Sequence, residues 1–236
     1  MDKIVVICSM KILLAAATVA EIAPLMQYME SRWQPAGEGA FTNGSHTVEV
    51  CITGVGMIAA TYAITKVLAG KSYDMAIQAG IAGTFGRAME LGTVVYVRDD
   101  RYGDMGAEDH DNYLDIFDMG LVDGEAFPFE GRRLVCPETE FVKGLELPGV
   151  SALTVNMVSG SERTVKRLAE TYGCDIESME GAAFHYVCLC EGQPFVQVRS
   201  ISNYIEPRDR AKWKIKEAVA ELNDLLIFAL ENHVDT

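Results

Sequence analysis

The sequence predicts an α/β fold built as one domain. Apolar, strand-like runs alternate with helix-like periodic stretches along the chain, the pattern of strands interleaved with helices. No composition shift, internal repeat or low-complexity segment divides the 236 residues. With 49% apolar residues, the chain can bury a sizeable core.

The first strand is expected at Met10-Lys11-Ile12-Leu13-Leu14-Ala15-Ala16-Ala17. Met10 is a second possible start, so residues 1–9 read either as an extension or as part of a longer first strand. Lys3 and the run Ile4-Val5-Val6-Ile7-Cys8 resemble the opening of a signal peptide, but Lys11 interrupts the apolar stretch. Glu21 follows where this strand becomes a helix, expected over 21–29. One reading makes it a helix-start carboxylate favoured by the macrodipole. The other makes it a catalytic group.

Thr47 to Thr53 reads as a strand, and a helix is expected from Gly54-Val55-Gly56-Met57-Ile58-Ala59-Ala60 to about Leu68. The glycines match G-x-G-x-x-A, the dinucleotide fingerprint. The acid that such a site wants at the end of the next strand is missing, because Asp74 precedes the strand Met75 to Ala79. Gly80-Ile81-Ala82-Gly83-Thr84-Phe85-Gly86 is expected to be a turn. It lacks a P-loop Lys-Ser or Lys-Thr, and its small residues would let a ligand approach the backbone.

Thr93 to Val97 reads as a short strand. Gly103 to Asp111 is acidic, glycine-rich and poor in apolar anchors, and is expected to be a loop. Its acids lack the spacing of a calcium loop. From there to Pro148 the chain reads as irregular. Ser151 to Val158 is strand-like, Ser159 is the expected N-cap of a helix with Glu162 three residues on, and Gly173 ends it. Glu177 and Glu180 form an acidic pair at the next strand-to-helix junction. A helix over 181–190 precedes a strand that ends on Asn203. A long amphipathic helix with Trp213 at its start closes the chain.

The net charge is −14 and no basic block occurs, which argues against nucleic acid as a partner. It leaves room for a nucleoside. None of the six cysteines forms a Cys-x-x-Cys pair, so reduced thiols in a cytoplasmic protein are expected. No stretch approaches the roughly 20 apolar residues of a membrane span. No metal and no cofactor are expected.

Glu21, Glu180 and Asn203 all stand at strand ends, where open α/β sheets bind ligands. A carboxylate accepts two hydrogen bonds side by side, which suits vicinal ribose hydroxyls. An amide offers donors and an acceptor, which suits a purine edge. A second carboxylate can activate water for glycosidic cleavage through an oxocarbenium-like transition state.

Met179-Glu180-Gly181-Ala182-Ala183 followed by Arg199-Ser200-Ile201-Ser202 resembles the nucleoside phosphorylase and nucleosidase superfamily. The adenine-type methylthioadenosine and S-adenosylhomocysteine nucleosidases are broadly similar. The resemblance to the futalosine hydrolases is closer. It rests on Met10 to Ala16, Glu21-Ile22-Ala23-Pro24-Leu25 and Asp104-Met105-Gly106-Ala107-Glu108. It continues with Glu177 to Phe184, Ile201-Ser202-Asn203, Pro207-Arg208-Asp209 and Trp213. It implies a three-layer α/β/α fold with a central mixed sheet, and hydrolysis of futalosine to hypoxanthine and dehypoxanthine futalosine in an alternative menaquinone route. By position it makes Glu21 the water-activating carboxylate. It sets Met179 and Glu180 on the ribose, Gly83 beside base and sugar, and Trp213 on the 5′ side. Arg208 is a candidate for the 5′ benzoate carboxylate, with surface ion pairs to Asp209 and Glu206 as the alternative. The resemblance also implies a homodimer.

Adenine-type enzymes carry Asp where this chain has Asn203, which favours an oxopurine leaving group here. They also carry Glu at Ser178 and Ser at Ile81. The competing readings are an adenine-type nucleosidase, a purine nucleoside phosphorylase, for which Arg87 is the only Arg near the glycine turns, and a non-catalytic dinucleotide binder.

Overall fold

The computed structural model describes residues 9–110 and 112–232. The apolar run at residues 4–8 and the greater part of the possible extension lie outside them.

Strand β1 (Met10–Ala16) leads through Thr18 into α1 (Val19–Arg32). Two short strands follow, β2 (Gln34–Gly37) at the sheet edge and β3 (Ala40–Thr42) beside it, then β4 (His46–Ile52) and α2 (Met57–Leu68). Next come β5 (Met75–Thr84), β6 (Val94–Tyr102), and the hairpin β7 (Gly106–Asp109) and β8 (Asn112–Asp115). The second half holds β9 (Leu134–Val135), α3 (Glu140–Gly144), β10 (Gly149–Thr154) and α4 (Glu162–Tyr172). It ends with β11 (Ile176–Ser178), α5 (Gly181–Cys190), β12 (Phe195–Tyr204), a 3-10 turn (Arg210–Lys212) and α6 (Ile215–Asn232).

The strands form one mixed sheet in the order β11-β10-β6-β12-β5-β1-β4-β3-β2, with β9 on β6. Helices α1 and α6 pack on each other, as do α2 and α5, giving the expected α/β/α layers. Apolar residues of β1, β5 and β12 meet those of α1, α2, α5 and α6 in the main core. One half of the sheet curls, because β11 also pairs antiparallel with the end of β5. Strands β5, β12, β6, β10 and β11 therefore close into a ring, and β12 and β11 meet β5 on its two sides at Gly83.

Several expectations need correction. Residues 80–84 are the second half of β5, not a turn. Between β12 and β11 their backbone groups find ladder partners. Glycine serves here for close side-chain approach rather than for chain reversal. A Cβ on Gly80 would lie 2.2 Å from Arg199 Nη1 and 2.9 Å from Glu21 Oε1. The segment after Gly103 holds the β7–β8 hairpin, and β9 and α3 interrupt the stretch read as irregular. The N-cap of α4 is Ser161, whose Oγ accepts from Thr164 N–H at 3.2 Å, while Ser159 is turned to another partner. Trp213 precedes α6 and closes the 3-10 turn.

Candidate active site

Glu21 lies in the first turn of α1, beside the end of β1. The N–H and Oγ1 of Thr18 both donate to its Oε2, at 3.0 and 3.1 Å. Its Oε1 accepts from Ile81 N–H at 3.3 Å. The carboxylate is thus pinned between the helix start and β5. Asn223 of α6 holds it from behind. This fully buried amide accepts from Leu25 N–H at 3.0 Å and donates to the Glu21 carbonyl at 2.8 Å.

Glu180 ends the β11 junction and is 5% exposed. Its Oε1 accepts from Gly56 N–H at 3.0 Å. One glycine of the apparent dinucleotide fingerprint therefore serves this carboxylate: Gly56, at φ 90°, turns its N–H onto it. Burial pushes the Glu180 pKa above the usual carboxylate range, against the pull of Arg199 and the Gly56 N–H. Arg199 is itself buried, with Nη1 4.0 Å from Glu180 Oε2. Its Nη2 donates to Gln78 Oε1 at 2.9 Å. Gln197, with its amide turned to satisfy its neighbours, accepts from Arg199 Nε at 3.0 Å and donates to His185 Nε2 at 2.8 Å. A buried cation so supported offsets the cost of burying Glu180 as an anion.

Asn203 reaches the cavity through a bulge. Strands β12 and β5 run in register to Ile201 and Ala82, then Ser202 is skipped and Asn203 pairs with Gly83. The extra residue re-aims the side chain. Asn203 Oδ1 accepts from Ser202 Oγ at 2.8 Å, and its Nδ2 donates to Tyr204 O at 3.2 Å. One amide hydrogen is left for a ligand.

These groups line one cavity of about 320 Å³, together with Gly83, Met179, Glu177, Ser178, Val158, Trp213 and Ile215. Six of the seven residues singled out in the sequence come together: Glu21, Gly83, Met179, Glu180, Asn203 and Trp213. Arg208 does not line it. Its guanidinium lies outside, 5.4 Å from the centre of the Trp213 ring. The expected partners of Arg208 are engaged elsewhere, Glu206 with Arg87 and Lys212, Asp209 with Lys212. Sequence reasoning missed Arg199 and Asn223 as supports. Asn223 had a signal, a polar residue beside Leu222 on the buried stripe of α6. Arg199 stood in the motif that carries the resemblance but was given no role, since a cation inside a strand shows its burial only in three dimensions.

The phosphorylase superfamily model matches residues 3–230. A futalosine hydrolase from Streptomyces coelicolor is 34% identical over 158 residues, 66% of this chain and 65% of that protein. One from Thermus thermophilus is 32% identical over 171 residues, 72% of this chain and 75% of that one. In fold, an S-adenosylhomocysteine nucleosidase from Streptococcus pyogenes superposes with a TM-score of 0.77 at 21% identity, covering 95% of this chain and 97% of that chain. The chain belongs to the phosphorylase superfamily, and within it to the futalosine hydrolase family.

Proposed function

We propose that the chain is one nucleosidase domain that hydrolyses the N-glycosidic bond of futalosine, releasing hypoxanthine and dehypoxanthine futalosine. The observation that carries this reading is the amide of Asn203 sharing a cavity with Glu21 and Glu180. Glu180 accepts from the 2′- and 3′-hydroxyls, and Met179 packs on the sugar. Glu21 takes a proton from water as its oxygen attacks the anomeric carbon. The C–N bond breaks with oxocarbenium character. Asn203 donates to N7 or O6 as the bonding electrons move into the base. An amide does not give up a proton, so the departing base is protonated from water. Trp213 covers the 5′ side, and Arg208, outside the cavity and against the Trp213 ring, meets a benzoate carboxylate that extends past that ring.

Hydrolysis is favoured over phosphorolysis by the lining, which among the described residues contains no Lys or Arg. Arg87 is occupied elsewhere, bonded to Glu206 at 2.6 Å and stacked 3.9 Å from the Tyr204 ring centre. An adenine-type nucleosidase is disfavoured by the amide at position 203.

The reading extends to a cytoplasmic homodimer in an alternative menaquinone route. Among the described residues no helix is long and apolar enough to cross a membrane. A separate apolar groove of about 660 Å³ lies between α2 and α5 and includes Ile58, Tyr62, Met105 and Tyr186. Ile58 is 86% exposed. A second copy covering this face would bury it. Light scattering of the protein and of Ile58→Glu tests the dimer, which the variant should dissociate. Release of hypoxanthine from futalosine, without added phosphate, tests the activity.

A further inference from the structure

The cavity holds a third carboxylate to which this mechanism gives no task. Glu177 of β11 is 5% exposed, yet lines the same cavity as Asn203. Its Oε1 accepts from Ser159 N–H at 2.9 Å, and its Oε2 accepts from Ser159 Oγ. Two donors on one residue fix the carboxyl group in a single orientation as an acceptor. Each oxygen keeps a second lone pair. Burial raises the pKa of this group and the two Ser159 bonds oppose the rise.

Register places Glu177 opposite the base-facing amide. Glu177 pairs with Gly83 across one side of β5, and Asn203 pairs with the same Gly83 across the other. Cross-strand partners project to the same face of a sheet, and adjacent strands lie about 4.8 Å apart. The two side chains therefore rise on either side of a residue that has none. A Cβ on Gly83 would come within 2.8 Å of Ile205 Cγ1 and 3.0 Å of Asn203 Nδ2, so Ile205 packs over Gly83 beside the amide. Glu177 and Asn203 both line the cavity, which therefore offers an acceptor and a donor to one ligand.

A 6-oxopurine fits this polarity. Its O6 and N7 accept, and its N1–H donates. A 6-aminopurine presents the reverse at the six-membered ring, with an amino donor and a bare N1 acceptor. A carboxylate facing that N1 meets lone pair with lone pair. We propose that Glu177 accepts a hydrogen bond from N1–H of a 6-oxopurine leaving group, and so reads the base together with Asn203. The proposal rests on the futalosine reading and names the second group that selects its base.

The test uses the full chain with futalosine as substrate, and hypoxanthine, 1-methylhypoxanthine and adenine as product-type inhibitors. The wild-type protein should bind hypoxanthine about 10- to 100-fold more tightly than 1-methylhypoxanthine, which lacks the N1 hydrogen. Glu177→Ala should erase that preference and strengthen inhibition by adenine relative to hypoxanthine. The nearly isosteric Glu177→Gln, which keeps contact with Ser159, should move the adenine-to-hypoxanthine ratio the same way, even if the alanine variant fails to fold. Equal loss of affinity for all three bases would mean that Glu177 only braces the Ser159 loop, and would overturn the proposal. An unchanged preference in a folded variant would also overturn it while leaving futalosine hydrolysis standing. Failure of the wild-type protein to release hypoxanthine from futalosine would remove both.

Discussion

Asn223 and Glu21 are joined across 202 residues of chain by a 2.8 Å hydrogen bond from the Asn223 side chain to the Glu21 carbonyl. The same amide takes the N–H of Leu25. Pro24 lies between these two backbone groups and supplies no N–H of its own. The last helix thus clamps the helix turn that carries the carboxylate. Asn223→Ala is expected to cost about 1–3 kcal/mol of stability, because a buried N–H and C=O lose their partner. It should also lower kcat about tenfold with little change in KM, because Asn223 does not line the substrate cavity. Thermal denaturation and steady-state kinetics check both parts.

Glu21→Gln keeps the shape of the side chain but removes the base. The account predicts a kcat loss of about 10²- to 10⁴-fold, the usual worth of a positioned general base. Futalosine should still bind, as measured by calorimetry. Near-normal turnover would remove Glu21 from its role.

Asn203→Asp exchanges an amide donor for a group that accepts when ionised and can transfer a proton when protonated. The expected outcome is a shift of kcat/KM from futalosine toward aminofutalosine or methylthioadenosine. Release of hypoxanthine and adenine, followed in parallel assays, reads it directly.

Asp100 and His185 sit behind Arg199 and titrate in opposite senses. Burial raises Asp100 to about 7, against bonds from Thr154 and the attraction of Arg199. Burial lowers His185 to about 4, helped by Arg199 and opposed by the Leu134 and Gln197 bonds. A raised carboxylate stabilises the fold fully below its unfolded pKa, and that stability is lost as pH rises toward 7. A depressed histidine contributes stability above about 6.5 that is lost as pH falls toward 4. Between about pH 4 and 6.5 the two offset each other. Asp100→Asn should unmask the histidine. Its stability should fall more steeply on acidification from pH 6.5 than that of the wild type, by up to about 1.4 kcal/mol per pH unit. Urea denaturation at several pH values measures this. Parallel slopes would contradict it.

Much of this site was legible because its side chains stand at strand ends, and strand ends are marked by changes of period. Glu21 read as a helix start, Glu180 as a junction, Asn203 as the end of a strand. The β5 extension through residues 80–84 was not legible. Glycines that accommodate Arg199 and Asn203 look like turn glycines until those neighbours are in place. The β7–β8 hairpin was hidden because its residues are mostly polar and partly exposed, so no buried face imposes an alternation. The support for Glu180 was hidden for a different reason. Gly56 comes from 124 residues away and Arg199 from across helix α5, and only the folded sheet brings both onto the carboxylate.

The central claim is that this cavity cleaves a 6-oxopurine from its sugar with water. The most direct measurement is incubation of the purified chain with futalosine and, separately, aminofutalosine, with and without phosphate, followed by chromatography of the bases and sugars. The account predicts phosphate-independent release of hypoxanthine and dehypoxanthine futalosine, with futalosine strongly preferred. Phosphate-dependent formation of a ribose 1-phosphate derivative, or preferential release of adenine, would contradict it.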